Sequence, residues 1–272
     1  MQHFPTSPTE AYRSAWRNRS LILDLARRDV IGRYRGSVIG IFWSLIHPIL
    51  MLTIFTFVFS VVLKMRWTSE LNSRTEFALV LFSGLMVFNP FSDCPNRAPG
   101  LILNNVNYVK KVVFPLEILP WVTLASALFH LLINVSVWMA FHSVLFGWPK
   151  STQLWFPVLL IPVILVTLGT SWFLASLGVY LRDVGQFTGV ATTAMMFLSP
   201  IFYPLASVPE RFRGIYNLNP LTRSIEQIRD ALMWGHAPDV GELCLQLVFT
   251  SAFAWLGFAW FQKTRKGFAD VL

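Results

Sequence analysis

Charged side chains are scarce in this sequence. Asp, Glu, Lys and Arg make up 13% of its 272 residues, whereas hydrophobic residues make up 54% and the mean hydropathy is +0.55. A soluble domain carries about a quarter charged residues. The shortage therefore excludes an ordinary soluble domain and predicts an all-α integral membrane protein.

Several sequence patterns that carry chemistry are missing as well. There is no GxxxxGK[ST] loop, so we do not expect this chain to hydrolyse ATP. The predicted spans contain no Asp, Glu, Lys or Arg, which argues against an ion-coupled carrier. The histidines in the spans, His47, His130 and His142, stand singly, which indicates packing residues rather than metal ligands. We expect no cofactor in this chain.

Acidic residues at the membrane surface are few. A membrane glycosyltransferase should show carboxylates placed together for metal binding or acid–base catalysis. Asp29, Asp93 and Asp183 are single and scattered along the chain. We therefore do not expect this chain to be a membrane enzyme of that class.

Long uncharged runs define the predicted architecture. Val38 to Leu63 is 26 residues without one charged side chain, enough for a helix to cross a hydrocarbon core of about 30 Å. Six transmembrane helices are predicted in all, at 38–63, about 77–92, 118–146, about 154–181, about 187–205 and about 243–261. Of the 22 Lys and Arg residues, fourteen fall on the side that holds both termini, which predicts that both termini are cytoplasmic.

Two segments outside the spans have an amphipathic pattern. The first is an N-terminal helix with Tyr12, Trp16, Ile22 and Val30 on one face, predicted to lie in the membrane interface; the alternative is packing on a soluble partner. The second begins at Asn219-Pro220, in the outer loop between spans 5 and 6. It is too short to span, so it predicts a re-entrant or surface helix.

The aromatic residues suggest a route for a substrate. The chain has 24 Phe, 11 Trp and 6 Tyr residues, whose faces would form a corridor for sugar rings. The alternative is that they pack in the core or face lipid. The candidate channel aromatics are Trp43, Phe55, Phe59, Phe197, Phe202 and Tyr203.

Four motifs, in order along nearly the whole chain, resemble the transmembrane subunit of ABC-2-type polysaccharide exporters. They are RYRGS at 33–37 with Gly40, Trp43 and Pro48; NYVKKVVFPLEILP at 107–120; SPIFYP at 199–204; and NPLT at 219–222 with Glu226 and Arg229. The family comprises the O-antigen, capsule and teichoic-acid permeases. The alternative is an exporter of a drug, lipid or small metabolite with the same architecture.

The resemblance implies partners and a location. It implies a homodimer in the bacterial inner membrane, two separate ATP-binding cassette subunits that hold ATP and Mg, and a lipid-linked glycan as substrate, with no role for nucleic acid. The domains would be a cytoplasmic segment at 1–36 with the interface helix, a six-span domain at 37–262 and a cytoplasmic tail at 263–272.

The resemblance also suggests two functional sites. Arg27, Arg28, Arg33 and Arg35 stand at headgroup level, where a lipid phosphate would enter; the alternative is that they anchor topology and bind anionic lipid. Force from the ATPase would enter through the cytoplasmic loop between spans 2 and 3 and through the short turn between spans 4 and 5. The residues predicted to transmit this force are Asn104, Asn105, Tyr108, Lys110, Lys111, Arg182 and Asp183. The alternative for Lys110 and Lys111 is that they only anchor the chain at the membrane surface.

Overall fold

The computed structural model describes residues 5–62, 74–110 and 114–272, and these residues form helices with no strand among them. The α-helices are α1 (Pro8–Arg17), α2 (Arg19–Tyr34), α3 (Trp43–Phe55), α4 (Arg74–Leu101), α5 (Val106–Lys110), α6 (Leu119–Phe146), α7 (Phe156–Leu159), α8 (Ile161–Tyr180), α9 (Val184–Phe197), α10 (Glu210–Leu218), α11 (Pro220–Arg229), α12 (Val240–Thr264) and α13 (Phe268–Val271).

Five helical segments in the described part of the chain have the length and apolar composition needed to cross a membrane. They are Gly40–Phe59, Glu76–Leu101, Leu116–Phe146, Ser151–Tyr180 and Val240–Val271. The protein is therefore an all-α, multi-pass membrane protein. The segment predicted as span 5 forms α9, which has 14 residues and so extends only about 21 Å. A sixth crossing stays a prediction.

Helix α4 lies at the centre of the bundle. It packs against α6, α8, α9 and α11, and 83% of its apolar stretch is buried inside the subunit. The sequence predicts a span at about 77–92 without fixing its inner end, and the helix itself continues to Leu101 through Pro90, Pro95 and Pro99. Helix α8 packs directly against the part of α4 that contains Pro99. A Cβ atom added at Gly178 of α8 would collide with the carbonyl oxygen of Pro99, so the two backbones touch there.

Small residues also bring α8 and α12 together. A Cβ atom added at Gly257 would lie 2.2 Å from the carbonyl oxygen of Gly169, so the two backbones are in direct contact. Close approach through small residues is the usual way for membrane helices to gain packing contacts, because lipid provides no hydrophobic driving force.

The N-terminal segment forms two helices that break at Asn18, where the sequence predicts one. Ile22, Ala26 and Val30 of α2 are buried, and α2 packs along α6. Trp16 is exposed. That α1 and α2 lie at a membrane surface stays a prediction.

Helix α11 is buried in the bundle. The side chain of Asn219 accepts a hydrogen bond from the backbone N–H of Leu221 at 3.0 Å and so caps the helix. Ile225 and Ile228 have no exposed surface, and α11 contacts α4 and α8. Arg229 donates to the carbonyl oxygen of Pro200 at 2.8 Å, which ties the helix to the segment after α9.

Candidate functional site: a charge ring between two cavities

Four charged side chains join α2 to α4. Arg33 contacts Asp93 at 2.6 Å and Asp29 at 3.7 Å, while Arg97 contacts Asp29 at 2.5 Å and Asp93 at 3.6 Å. Each arginine therefore lies between the same two carboxylates. We call this set the charge ring; its formal charges cancel.

The ring forms because each helix presents one acid and one base a turn apart. Asp29 and Arg33 stand four residues apart on α2, and Asp93 and Arg97 stand four residues apart on α4, so each pair shares a helix face. The expectation that Asp29 and Asp93 are scattered is wrong, since the fold brings them together across 64 residues of sequence.

Electrostatics favour the ionised form of Asp29. Burial raises the pKa of the Asp29 carboxyl, but the hydrogen bond from Arg97 and the charges of Arg97 and Arg33 outweigh it. The pKa therefore lies below its ordinary value. The four side chains are between 24% and 33% exposed, so water screens the ring only in part.

Two cavities meet at the ring. The first, the α3 cavity, has a volume of about 630 Å³ and lies between α2, α3, α4 and α6; its lining includes Tyr34, Trp43, His47, Asn89, His130 and Asn134. The second, the α5 cavity, has a volume of about 650 Å³; its lining includes Arg28, Gly100, Asn104, Asn105, Tyr108 and Thr123.

The ring lies in the wall between these cavities. Arg33 and Asp93 line the α3 cavity, Asp29 and Arg97 line the α5 cavity, and Asn96 lines both. A polar solute that moved from one cavity to the other would pass along Asn96 and the ring.

One face of α4 provides the polar lining. Asn89, Ser92, Asp93 and Asn96 follow the i, i+3, i+4, i+7 spacing of a single helix face, and all four line the α3 cavity. The stripe continues through Arg97 and Gly100 in the α5 cavity. A polar track therefore runs from half-way along α4 to its C-terminal end, within a helix that is otherwise apolar.

Comparison with known proteins identifies the family. The family described as ABC-2 type transporter matches residues 20–233, which is most of the chain. The chain belongs to this family. It is therefore a transport subunit rather than an enzyme.

Individual relatives of this ABC-2 chain match over almost their full length. One is an O-antigen export system permease protein RfbA of Klebsiella pneumoniae, 27% identical over 93% of this chain and 95% of the relative. Another permease of that name, from Myxococcus xanthus, is 25% identical over 96% of this chain and 98% of the relative. The polysialic acid transport protein KpsM of Escherichia coli is 24% identical over 88% of this chain and 91% of the relative.

The four arginines predicted at the entrance of this ABC-2 chain occupy different positions. Arg33 is held in the charge ring, and Arg28 lines the α5 cavity. Arg27 and Arg35 are exposed and are not among the residues that line these two cavities. The phosphate role of all four stays a prediction.

The predicted channel aromatics separate into three groups. Phe55, Phe59, Phe202 and Phe197 form a continuous cluster, with centroid distances of 6.2, 5.7 and 5.8 Å between successive rings. Phe55, Phe59 and Phe202 also pack against the buried core. Tyr203 hydrogen-bonds to the Phe197 carbonyl and contacts the Tyr216 hydroxyl at 2.7 Å. Trp43 alone among the six lines the α3 cavity.

The predicted coupling residues lie on two segments. Asn104, Asn105 and Tyr108 line the α5 cavity. The Tyr108 ring stacks on Phe114 at 4.3 Å. Arg182 and Asp183 form the exposed turn between α8 and α9. The side chain of Lys110, and Lys111 entirely, lie outside the described residues.

The segment after α5 is fixed by a buried ion pair that the sequence did not reveal. Glu117 accepts hydrogen bonds from Arg265 at 2.5 Å and from the Ser14 hydroxyl at 2.9 Å. Its backbone carbonyl accepts one from the Trp172 indole at 3.0 Å. Residues from α1, α8 and the end of the last span therefore meet at the start of α6.

The three histidines differ in their surroundings. His142 is buried, lies 3.2 Å from the Gln153 amide nitrogen and stacks on Trp138 at 4.8 Å. The Nδ1 atom of His130 lies 3.4 Å from the Tyr34 hydroxyl. His142 thus has the environment of a packing residue, whereas His47 and His130 line the α3 cavity.

Proposed function

We propose that this chain is the permease subunit of an ATP-driven exporter that moves a lipid-linked polysaccharide, O-antigen-like or capsular, out of the bacterial cytoplasm. The observation that carries the proposal is the match over 88–96% of the chain to permeases and transport proteins named for O-antigen and polysialic acid. The polar track along α4 supports it, since a hydroxyl-rich polymer needs polar groups within the membrane.

The working unit is a homodimer of six-span subunits with both termini in the cytoplasm. The excess of Lys and Arg on the side of the termini supports this orientation. The segment Gly40–Phe59 supports the second copy: it is strongly apolar, yet only 11% of it is buried inside the subunit. Its remaining surface is available to another copy of the chain as well as to lipid.

Two separate ATPase subunits bind beneath the dimer and act on the α5 region. Tyr108 stacks on Phe114, and Arg265 donates to the Phe114 carbonyl oxygen at 2.8 Å. A displacement of α5 would therefore reach Arg265 and Glu117 through one aromatic stack and two hydrogen bonds. Lys110, Lys111 and the Arg182-Asp183 turn complete the proposed contact.

The lipid phosphate enters beside α2. Arg28 and Arg33 each line one of the cavities, which supports their role more than that of Arg27 and Arg35, which line neither. Because Arg33 contacts Asp93 at 2.6 Å, a phosphate would compete with that carboxylate for the guanidinium. Phosphate binding would then loosen the charge ring.

The proposal is tested in the native host by deletion of the gene and measurement of the polymer inside the cell and at its surface. We expect surface polymer to disappear and lipid-linked polymer to accumulate in the cytoplasmic leaflet, with recovery when the gene is returned. Normal surface polymer in the deletion strain would contradict the proposal.

A further inference from the structure

We propose that the α3 cavity binds one neutral, hydroxyl-rich ring of the transported chain, that is, a single sugar unit. The inference rests on the proposed function, because it names what the permease holds within each subunit. It assigns to the cavity a role that is separate from the aromatic cluster of Phe55, Phe59, Phe197 and Phe202.

The first argument is the position of two amides. Asn89 lies within the candidate span Glu76–Leu101, one helical turn from Asp93, and Asn134 lies within Leu116–Phe146, one turn from His130. Within the subunit Asn89 is exposed and Asn134 is half-buried. Both line the α3 cavity. An amide without a hydrogen-bond partner is costly in an apolar medium, by about 2 kcal/mol or more.

The second argument is that the bundle leaves these amides unused. Neither Asn89 nor Asn134 has a side-chain hydrogen bond with another residue that the structure describes. Asn96, on the same face of α4, differs: its side-chain oxygen accepts a hydrogen bond from Thr192 of α9 at 3.0 Å. Asn96 therefore joins helices, as polar residues in membranes commonly do, whereas Asn89 and Asn134 remain available to a ligand.

The third argument is size and charge. A volume of about 630 Å³ falls within the usual range of about 300–1,000 Å³ for small-molecule sites. Arg33 is the basic and Asp93 the acidic residue of the lining, and their formal charges cancel. The lining therefore has no formal net charge to attract an anionic ring, which favours a neutral one.

The fourth argument is the aromatic wall. Trp43 and Tyr34 both line the cavity, and the Trp43 side chain is partly exposed. Aromatic faces supply apolar contact to the C–H surface of a sugar ring, while amides pair with its hydroxyl groups. The cavity offers both kinds of group.

The test measures whether the cavity is occupied during export. The variant Ser44→Cys is made in a Cys244→Ser background; Ser44 lines the α3 cavity without being one of the two amides, and Cys94 is retained because it is fully buried. Cells are treated with a water-soluble, charged methanethiosulfonate reagent, with polymer synthesis either active or blocked. We expect labelling at position 44 to be at least threefold slower when polymer is being exported.

Ser136→Cys is the matched control. Ser136 is exposed on α6, its hydroxyl is bonded to the Leu132 carbonyl of its own helix at 2.8 Å, as that of Ser44 is to the Ile41 carbonyl at 2.6 Å, and it is not part of the cavity lining. Its labelling should not respond to polymer. Equal labelling rates at position 44 with and without polymer would overturn the proposal.

Export assays give a second readout. Asn89→Leu and Asn134→Leu should lower export at least tenfold with normal amounts of assembled complex, whereas Ser136→Leu should export normally. Wild-type export by both asparagine variants would also overturn the inference. If both asparagine variants export normally in a strain where export depends on this chain, the cavity inference fails but the proposed function stands. Failure of the inference can therefore be told apart from failure of the proposed function.

Discussion

Loss of the charge ring should weaken the attachment of α2 to α4, and one double-mutant cycle measures how much. The pair to test is Asp29 with Arg97, whose atoms approach to 2.5 Å. Asp29→Asn and Arg97→Gln remove one charge each and keep side chains of similar size. The double variant removes both charges together.

The expected magnitude follows from exposure. Fully exposed pairs contribute about 0.2–1 kcal/mol, and breaking a buried pair costs about 3–5 kcal/mol. The side chains of Asp29 and Arg97 are 24% and 30% exposed, which is between these limits. We expect a coupling energy of about 1–2 kcal/mol in the free energy of unfolding.

The assay is reversible unfolding of the purified protein in mixed micelles. The exposed pair Glu210–Arg213, 3.6 Å apart with side chains 89% and 39% exposed, serves as the control and should show a coupling energy of about 0.5 kcal/mol or less. A coupling energy at Asp29–Arg97 no larger than that of the control would refute the reasoning.

The same variants have an expected pH dependence. The pKa of Asp29 is lower in the folded protein than its ordinary value of 3.8, so its contribution to stability is complete above that value and is lost as the pH falls through the folded-state pKa. The difference in stability between wild type and Asp29→Asn should therefore be constant near neutral pH and shrink below about pH 4. A difference that grows on acidification would contradict the assigned direction of the shift.

Three further predictions follow from other contacts. Gly178→Ala should destabilise the protein by about 1–3 kcal/mol because its Cβ would collide with the Pro99 backbone, whereas Gly189→Ala, with open space around it, should be neutral or stabilising in the same assay. Glu117→Gln should reduce stability by about 3–5 kcal/mol by leaving Arg265 without its carboxylate, as thermal unfolding would show; an unchanged midpoint would contradict this. Charge reversal at Lys110 and Lys111 should abolish export while ATP turnover by the assembled complex continues, and unchanged export would refute their role.

The sequence predicts those parts of the fold that depend on local composition. The apolar run at 38–63 predicts a spanning helix because hydrophobicity over about 20 residues decides insertion, and the structure has the candidate span Gly40–Phe59 there. Asn219-Pro220 predicts the start of α11 because an asparagine cap and a proline at the first helical position act within one turn.

The charge ring was missed because its pairs join segments 60 and 68 residues apart. Asp93, Arg97 and two prolines, Pro95 and Pro99, gave the stretch after Ser92 the composition of a loop, but α4 continues through it to Leu101. A signal was present: Asp and Arg stand four apart in both α2 and α4, the spacing of one helix face. Asn89, Ser92 and Asn96 stand three and four residues apart, which also places the polar track on one helix face.

The most direct test of the central claim is transport by the purified chain in proteoliposomes that contain a lipid-linked polysaccharide, with and without the ATPase of the neighbouring gene. We predict that polymer becomes protected inside the vesicles only when the ATPase and MgATP are present on the outside. Polymer transfer by this chain without the ATPase, or none with an active ATPase bound, would contradict the claim.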